Sequence, residues 1–523
     1  MKVARRVSQV LFLLLFIYLF FQASYPLESR IPPDIFLRFD PLVGFATSIA
    51  SRALIASLFP ALILLLFTAL FGRFFCGWIC PLGTLIDGAD RIINLKQKKS
   101  RLKETLRYRS WKFFILVAIL ISSLFSVQFL WLVDPIALLT RTLATGLFPM
   151  VSFAMEELFG LLMNIEFLEE SMFDVFTTLQ DSSLLPLEPR SFQSGLFFLA
   201  VFIGILSLGF ISKRFWCRNL CPLGALLGIF SKFRLFNRTV DASCTSCGIC
   251  QRTCKMDAIE DDFTTSSSIE CIECMNCVAN CPQSSIRYQF RFPTPPSKID
   301  LSRRKFFSAL SAGAIVPLAI KSSYLNRSSR NNAIRPPGAL PENKFLDRCI
   351  RCHECTRICS TTGGCLQPAL LQGGWEGLMT PISIPRSGYC EYNCNLCGKV
   401  CPTGAIKELA LAEKNKMKMG TASFDKNRCI PWYRHVNCLV CEEHCPTPEK
   451  AIKFDERETI LPDGSRRMVK YPYVVEELCT GCGICVYKCP LAGHAGIFVS
   501  IAGEIRWEEK AESESFQNPS ATQ

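Results

Sequence analysis

The 523-residue sequence predicts an α-helical membrane bundle in its first half and a train of small α+β modules in its second. Two observations carry this division. Apolar residues crowd the first 235 positions, within a chain that holds 41 phenylalanines. Twenty-five of the 29 cysteines lie beyond that point, 24 of them in six groups of four. A chain of this length is expected to hold several domains. Cysteine at C-x2-C spacing in so long a chain reads as metal ligation rather than as a disulfide scaffold. The net charge of +13 does not indicate nucleic acid. Much of the excess sits in loops that flank apolar stretches, where positive-inside topology places it.

The membrane domain is expected over residues 1–240. Four apolar stretches approach the spanning length of about 20 residues: 7–22, 53–75, 111–133 and 194–211. The first follows Lys2, Arg5 and Arg6 and has no small-residue cleavage site before Pro26, so it reads as a retained anchor. Loop charge orients the bundle. Residues 76–112 carry nine Lys/Arg against three acids, and residues 134–190 carry two against nine. The N-terminus, the 76–112 loop and the segment after 211 are therefore expected in the cytoplasm, with 25–52 and 134–193 outside. Residues 135–155 are also apolar, but Arg141 and Glu156-Glu157 make an interfacial or re-entrant helix the expectation there.

The bundle contains an internal echo. Cys76-x3-Cys80-Pro81-Leu82-Gly83 returns as Cys217-x3-Cys221-Pro222-Leu223-Gly224, each copy following an apolar stretch. The four thiols are candidates for a metal site or a redox dithiol pair. The competing reading is inert thiols in helix-end packing. The chain has four histidines, His353, His435, His444 and His494, and none lies in an apolar stretch. A bis-His haem in the bundle therefore has no axial ligands. Electrons handled there must come from a diffusing carrier such as quinol. Gln128, Trp131, Asp134 and Arg141 are candidates for its pocket, with Asp134 as proton acceptor. Against this, Asp134 also suits a helix cap before Pro135, and Arg141 a snorkelling side chain.

Residues 241–296 hold two tetrads at the spacing of a bacterial two-cluster ferredoxin, in which the fourth cysteine of each run crosses to the other [4Fe–4S] cube. The expected ligand sets are Cys244, Cys247, Cys250 and Cys281, and Cys271, Cys274, Cys277 and Cys254. Pro282 follows the second run, while Lys255 stands where the first run would carry proline. A zinc site would not need this paired pattern. By loop charge this module is cytoplasmic.

Residues 297–344 form a third segment. Ser302-Arg303-Arg304-Lys305-Phe306-Phe307 precedes a short apolar run, which is the twin-arginine export pattern. Arg303 and Arg304 are its signature. A domain loaded with cubes must cross the membrane already folded, so the residues downstream of this signal are expected outside the cytoplasm. The apolar run reads as a tether helix and residues 321–344 as a linker.

Residues 345–500 carry four more tetrads: Cys349, Cys352, Cys355 and Cys359; Cys390, Cys394, Cys397 and Cys401; Cys429, Cys438, Cys441 and Cys445; Cys479, Cys482, Cys485 and Cys489. Their pairing into modules is open, sequential or nested. Cys349-x2-Cys352-His353 matches a haem c attachment pattern, but Cys355 and Cys359 complete a tetrad there. Cys365 is left over, as a spare ligand or a buried thiol. Six tetrads imply six cubes. No G-x-G-x-x-G or G-x4-G-K-[ST] segment supports nucleotide binding. Residues 501–523 read as a disordered tail. The fold class is thus a four-span bundle plus a tether helix, followed by α+β ferredoxin-like [4Fe–4S] modules.

These motifs carry a resemblance. The paired C-x3-C-P motifs with a trailing two-cluster ferredoxin resemble NapH and MauN. The twin arginines with four tetrads resemble NapG and MauM, so the chain looks like a fusion of the two. NosR and CcoG share the wider superfamily. The resemblance implies an inner-membrane quinol dehydrogenase component that passes electrons from the quinol pool to a periplasmic cytochrome or reductase. Topology equally allows a cytoplasmic donor. Two rival readings remain: a metal-centre maturation factor of the CcoG type, and a passive anchored ferredoxin subunit.

Overall fold

A computed structural model describes residues 2–94, 108–182, 184–186, 188–291, 303–322, 333–461 and 464–508. The protein is mostly helical, with four two-stranded antiparallel sheets. It divides into two units. The first comprises residues 1–22, 29–146 and 195–319, and the second comprises 23–28, 147–194 and 320–523.

The helical part of the first unit is built twice on one plan. In each copy Asp-Pro opens a helix, because the aspartate side chain accepts from the second and third amides and proline fits the first turn. Asp40 accepts from Leu42 and Val43 to start the helix Pro41–Ser51, and Asp134 accepts from Ile136 and Ala137 to start the helix Pro135–Met163. A second apolar helix follows, Pro60–Phe71 in one copy and Gly195–Ser207 in the other. Then come a buried arginine, a one-turn helix bearing the first cysteine, and a Cys-Pro that opens the next helix. The set is Arg73, Phe74–Trp78 and Pro81–Asn94 in the first copy. It is Arg214, Phe215–Asn219 and Pro222–Phe230 in the second. The Lys2–Gln22 helix packs on the Pro81 helix as the Trp111–Leu124 helix packs on the Pro222 helix.

The four-span expectation needs correction. Among the described residues, two helices are long and apolar enough to cross a membrane: Lys2–Gln22 and Pro135–Met163. The other stretches are apolar but broken. Residues 53–75 pass through a 3-10 turn at Ala56–Leu58 and end at Gly72, whose φ is 79°. The 111–133 stretch leaves its helix at Leu124 and turns at Ser126, with φ 56°. Hydropathy counts apolar residues without registering these turns. The expected interfacial segment at 135–155 is instead part of a continuous 29-residue helix. A π turn at Leu143–Leu147 carries it on, and Arg141 is buried inside the protein. At about 1.5 Å per residue this helix is about 43 Å long.

The remainder of the first unit is the 241–291 module. The strands Phe236–Val240 and Ile286–Phe290 bracket its two tetrads, with Arg238 opposite Tyr288. A helix covers Arg303–Ser322, the segment expected as a tether, and Gly313 lets it approach the Trp111 helix closely. A Cβ on Gly313 would lie 2.9 Å from the Ala118 carbonyl oxygen. Ser302 and residues 323–332 of the expected linker lie outside the described residues, as does the tail after Glu508. Residues 333–344 are not a free linker: 333–340 are buried, Ala339 bridges to Ile406, and a helix starts at Glu342.

The second unit contains two further bracketed modules. An antiparallel bridge between Ala339 and Ile406 encloses the first two tetrads. The strands Thr421–Phe424 and Ile497–Ser500 enclose the last two. A nine-residue hairpin, Ile452–Ile460 with Arg466–Val474, is inserted in the last module. Residues 147–194 group with this unit, although they interrupt the second helical copy.

Candidate metal centres

Each bracketed module gathers cysteines around small cavities rather than at a point. Cys244, Cys247, Cys250 and Cys281 line one small cavity. Cys349, Cys352, Cys355 and Cys401 line a second. Cys445, Cys479, Cys482 and Cys485 line a third. Each has about 20 Å³ of free space. The three share one rule: three cysteines come from one run and the fourth from its partner run. The complementary sets obey the same rule. Cys254 lies against Cys274 and Cys277, and Cys359 against Cys390, Cys394 and Cys397. Cys489 lies against Cys429 and Cys441. The sequential pairing left open by the sequence is therefore the one the fold adopts. In residues 345–500 the fourth cysteines trade places: Cys359 joins the second run, Cys401 the first, Cys445 the fourth and Cys489 the third.

Local structure explains why these runs wrap a cube. In four of the six runs the turn uses left-handed backbone, at Gly248, Met275, His353 and Gly483, and a one-turn helix carries the third cysteine back across the cavity. Burial raises the thiols: Cys390 and Cys441 are each pushed up to about 12, and Cys352, Cys355 and Cys485 well above the usual value. Free, these groups hold their protons, so a cube must displace them. Four sulfurs, an apolar wall and matching cavities suit a [4Fe–4S] cube, which exchanges single electrons.

Two single residues are placed by these contacts. His353 lines one of these cavities together with Cys349, Cys352, Cys355 and Cys401. It is buried, and its Nδ1 lies 3.1 Å from the Thr356 hydroxyl. Cys365 is a buried thiol whose sulfur is 3.9 Å from that of Cys359. The hydrogen bond from Cys365 lowers the Cys359 thiol and raises that of Cys365.

The C-x3-C-P cysteines converge in the first unit. Cys76, Cys80, Cys217 and Cys221 lie within electrostatic range of one another. Cys80 accepts from the Gly83 amide at 3.4 Å and Cys221 from the Gly224 amide at 3.3 Å. The arginines cross between copies. Arg214 donates to the carbonyls of Cys76 and Gly83 at 3.1 Å each, and Arg73 packs against Gly224. Sequence reading missed both arginines, although R-x2-C-x3-C-P-L-G in each copy was the available signal.

The four-thiol cluster abuts the first ferredoxin module. Cys76 and Cys217 pack in one apolar cluster with Cys254, Cys271 and Cys274. Gly77 makes this possible, since a Cβ there would come 2.2 Å from the Ile272 carbonyl oxygen. Charged and polar clasps surround the contact. Arg73 donates to the Ile269 carbonyl at 2.8 Å, Lys112 pairs with Glu270 at 2.6 Å and Trp78 donates to the Glu273 carbonyl at 2.9 Å. Buried Arg234 pairs with Glu273. Asp87 collects Arg214 at 2.7 Å, Lys255 at 2.8 Å and Arg5 at 3.5 Å. Lys255, the departure from the ferredoxin pattern, is thus a docking residue.

The quinol-pocket candidates are also placed. Asp134 caps its helix, as the competing reading held. Arg141 donates to the Trp131 carbonyl at 2.8 Å and lies over the Phe198 ring at 4.4 Å. Gln128 donates to the Ala46 carbonyl at 3.4 Å. All three are buried. Asp40, which the sequence reading did not single out, lies beside Asp134.

Comparison with known proteins respects the same division. Three family models, each described as a 4Fe-4S binding domain, match residues 53–100 with 194–240, residues 242–257, 270–288 and 346–362, and residues 472–491. The methylamine utilization ferredoxin-type protein MauM of Methylorubrum extorquens is 35% identical over 211 residues, covering 40% of this chain and 90% of its own length. This chain belongs to the NapG/NapH/MauM family of polyferredoxins. The ferredoxin-type protein NapG of Escherichia coli is 31% identical over 196 residues, with 36% of this chain and 81% of NapG covered. NapH of Haemophilus influenzae is 27% identical over 268 residues, with 48% and 75% covered. No solved structure matches. As a member of this family the chain is an iron–sulfur electron-transfer protein, and the first family model falls on both C-x3-C-P copies.

Proposed function

We propose that this polyferredoxin oxidises quinol in its duplicated helical unit and delivers the electrons to a periplasmic acceptor through six [4Fe–4S] cubes. The observation that carries the reading is the contact of Cys76 and Cys217 with Cys254, Cys271 and Cys274. It joins a redox-capable thiol cluster in an apolar bundle to a ferredoxin module without an intervening gap. The two inner cubes then stand on the electron path, next to the thiol cluster, rather than beside it. Arg73 and Arg214 hold positive charge near the thiol sulfurs, which opposes part of the cost that burial puts on their anionic form. Loop charge sets the 241–291 module in the cytoplasm, and Arg303-Arg304 directs the second polyferredoxin to the periplasm. The relatives' names, methylamine utilization among them, are consistent with service to a periplasmic redox chain.

The deciding experiment uses membranes that contain this protein alone. A menaquinol or ubiquinol analogue should bleach the iron–sulfur absorbance without any partner. Reduction only when a further subunit is added would replace this reading with that of a passive anchored ferredoxin.

A further inference from the structure

The duplicated helical unit places two carboxyls together. Asp40 and Asp134 occupy equivalent positions, each as the N-cap of an Asp-Pro helix. Both are fully buried, and the two side chains lie close enough to interact. In each residue Oδ1 is committed to two helix amides, at 2.8 and 3.3 Å in Asp40 and at 3.1 and 2.8 Å in Asp134. Each Oδ2 is buried without a donor from elsewhere in the protein. Two neighbouring carboxyls buried away from water cannot both hold their charge, so one of them keeps its proton. One charge then remains on the pair, and Arg141, on the Pro135 helix, lies near enough to stabilise it. On the neighbouring short helix Ile35–Arg38, Arg38 is bound to Asp34 at 2.8 Å.

A helix cap needs one carboxyl oxygen, so capping explains each Oδ1 and leaves the two Oδ2 atoms unexplained. A pair of carboxyls sharing one proton can accept a second without leaving net positive charge in an apolar bundle. We propose that Asp40 and Asp134 form the proton port for a hydroquinone-class substrate. This rests on the quinol reading above. A hydroquinone loses two protons and two electrons. The first proton goes to the charged carboxylate of the pair and on to outside water, and the second takes the same route. The two electrons leave singly for the iron–sulfur chain.

The test compares wild type with Asp40→Asn and Asp134→Asn in membranes. Asparagine keeps the capping oxygen and offers an amide hydrogen to the remaining carboxylate, so the two side chains stay in contact without a shared proton. Infrared difference spectra of the wild type should show the carbonyl band of a buried carboxylic acid, moved in D2O and altered by quinol. Both variants should lose this band, keep their iron, accept electrons from dithionite as the wild type does, and take electrons from quinol about 100-fold more slowly, the scale of a lost general base. A wild type reduced by quinol, with variants equally fast, would overturn the port alone. A wild type that quinol does not reduce would overturn the quinol reading and the port with it.

Discussion

At the residue scale the sharpest constraint is Gly77. It sits where any side chain would strike the Ile272 carbonyl oxygen, on the loop that carries Cys271 and Cys274. Gly77→Ala should cost about 1–3 kcal/mol through overpacking. It should also slow reduction of the inner cubes while those of the second unit stay reducible from solution, as stopped-flow absorbance would show. Cys365 makes a second residue-level prediction. Its thiol donates toward the Cys359 sulfur at 3.9 Å, and a donor to a ligating sulfur stabilises the more reduced, more negative cube. Cys365→Ala should lower the reduction potential of one cube and leave the others in place, measured by an EPR-monitored redox titration. An unchanged potential would make Cys365 a packing residue. The grouping of the cysteines was legible in the sequence because C-x2-C-x2-C spacing brings each run together locally. The role of Gly77 was not, because its neighbour lies 195 positions away along the chain and no local pattern reports it.

At the scale of elements, the ferredoxin loop 269–273 is clasped by buried charges. Arg234 faces Glu273, and Lys112 with Arg73 faces Glu270. Removing one partner leaves the other charged and dry. Arg234→Met should cost about 3–5 kcal/mol, seen as earlier loss of cluster absorbance on heating. Arg234→Lys should recover part of it. Helix positions were legible from apolar runs, and their ends were not. Gly72 and Ser126 stop two of the expected spans through backbone conformation, which a hydropathy sum does not weigh. The Pro135–Met163 helix was misjudged for the opposite reason. Its charged Arg141 is satisfied by the Trp131 carbonyl and the Phe198 ring, so the charge did not mark an interface. The Asp-Pro helix starts were visible as Asp40-Pro41 and Asp134-Pro135, but the insertion at 147–194 hid their equivalence.

At the scale of the whole molecule the cysteines stand where a core would be. Apart from the hairpin in the last module, the described parts of the three cysteine modules have little regular structure beyond one-turn helices and short strands, and their apolar clusters are lined by cysteines. Full loading should give about 24 iron atoms, four for each of six cubes; a content near eight would limit the cubes to one module. Because burial lifts the thiols above their usual range, iron competes with protons, and falling pH favours the proton. Cluster retention should therefore decline as the medium is acidified, with ordered structure lost in step, measured by absorbance and circular dichroism together. The helical platform has a consequence of its own. A duplicated scaffold offers two equivalent berths, yet only one copy has glycine after its first cysteine. The other has Arg218, whose side chain turns to Asp257 at 3.3 Å. That single inequality breaks the tie, so a twofold platform admits one rider, in one orientation, and electrons meet a fixed cube on arrival.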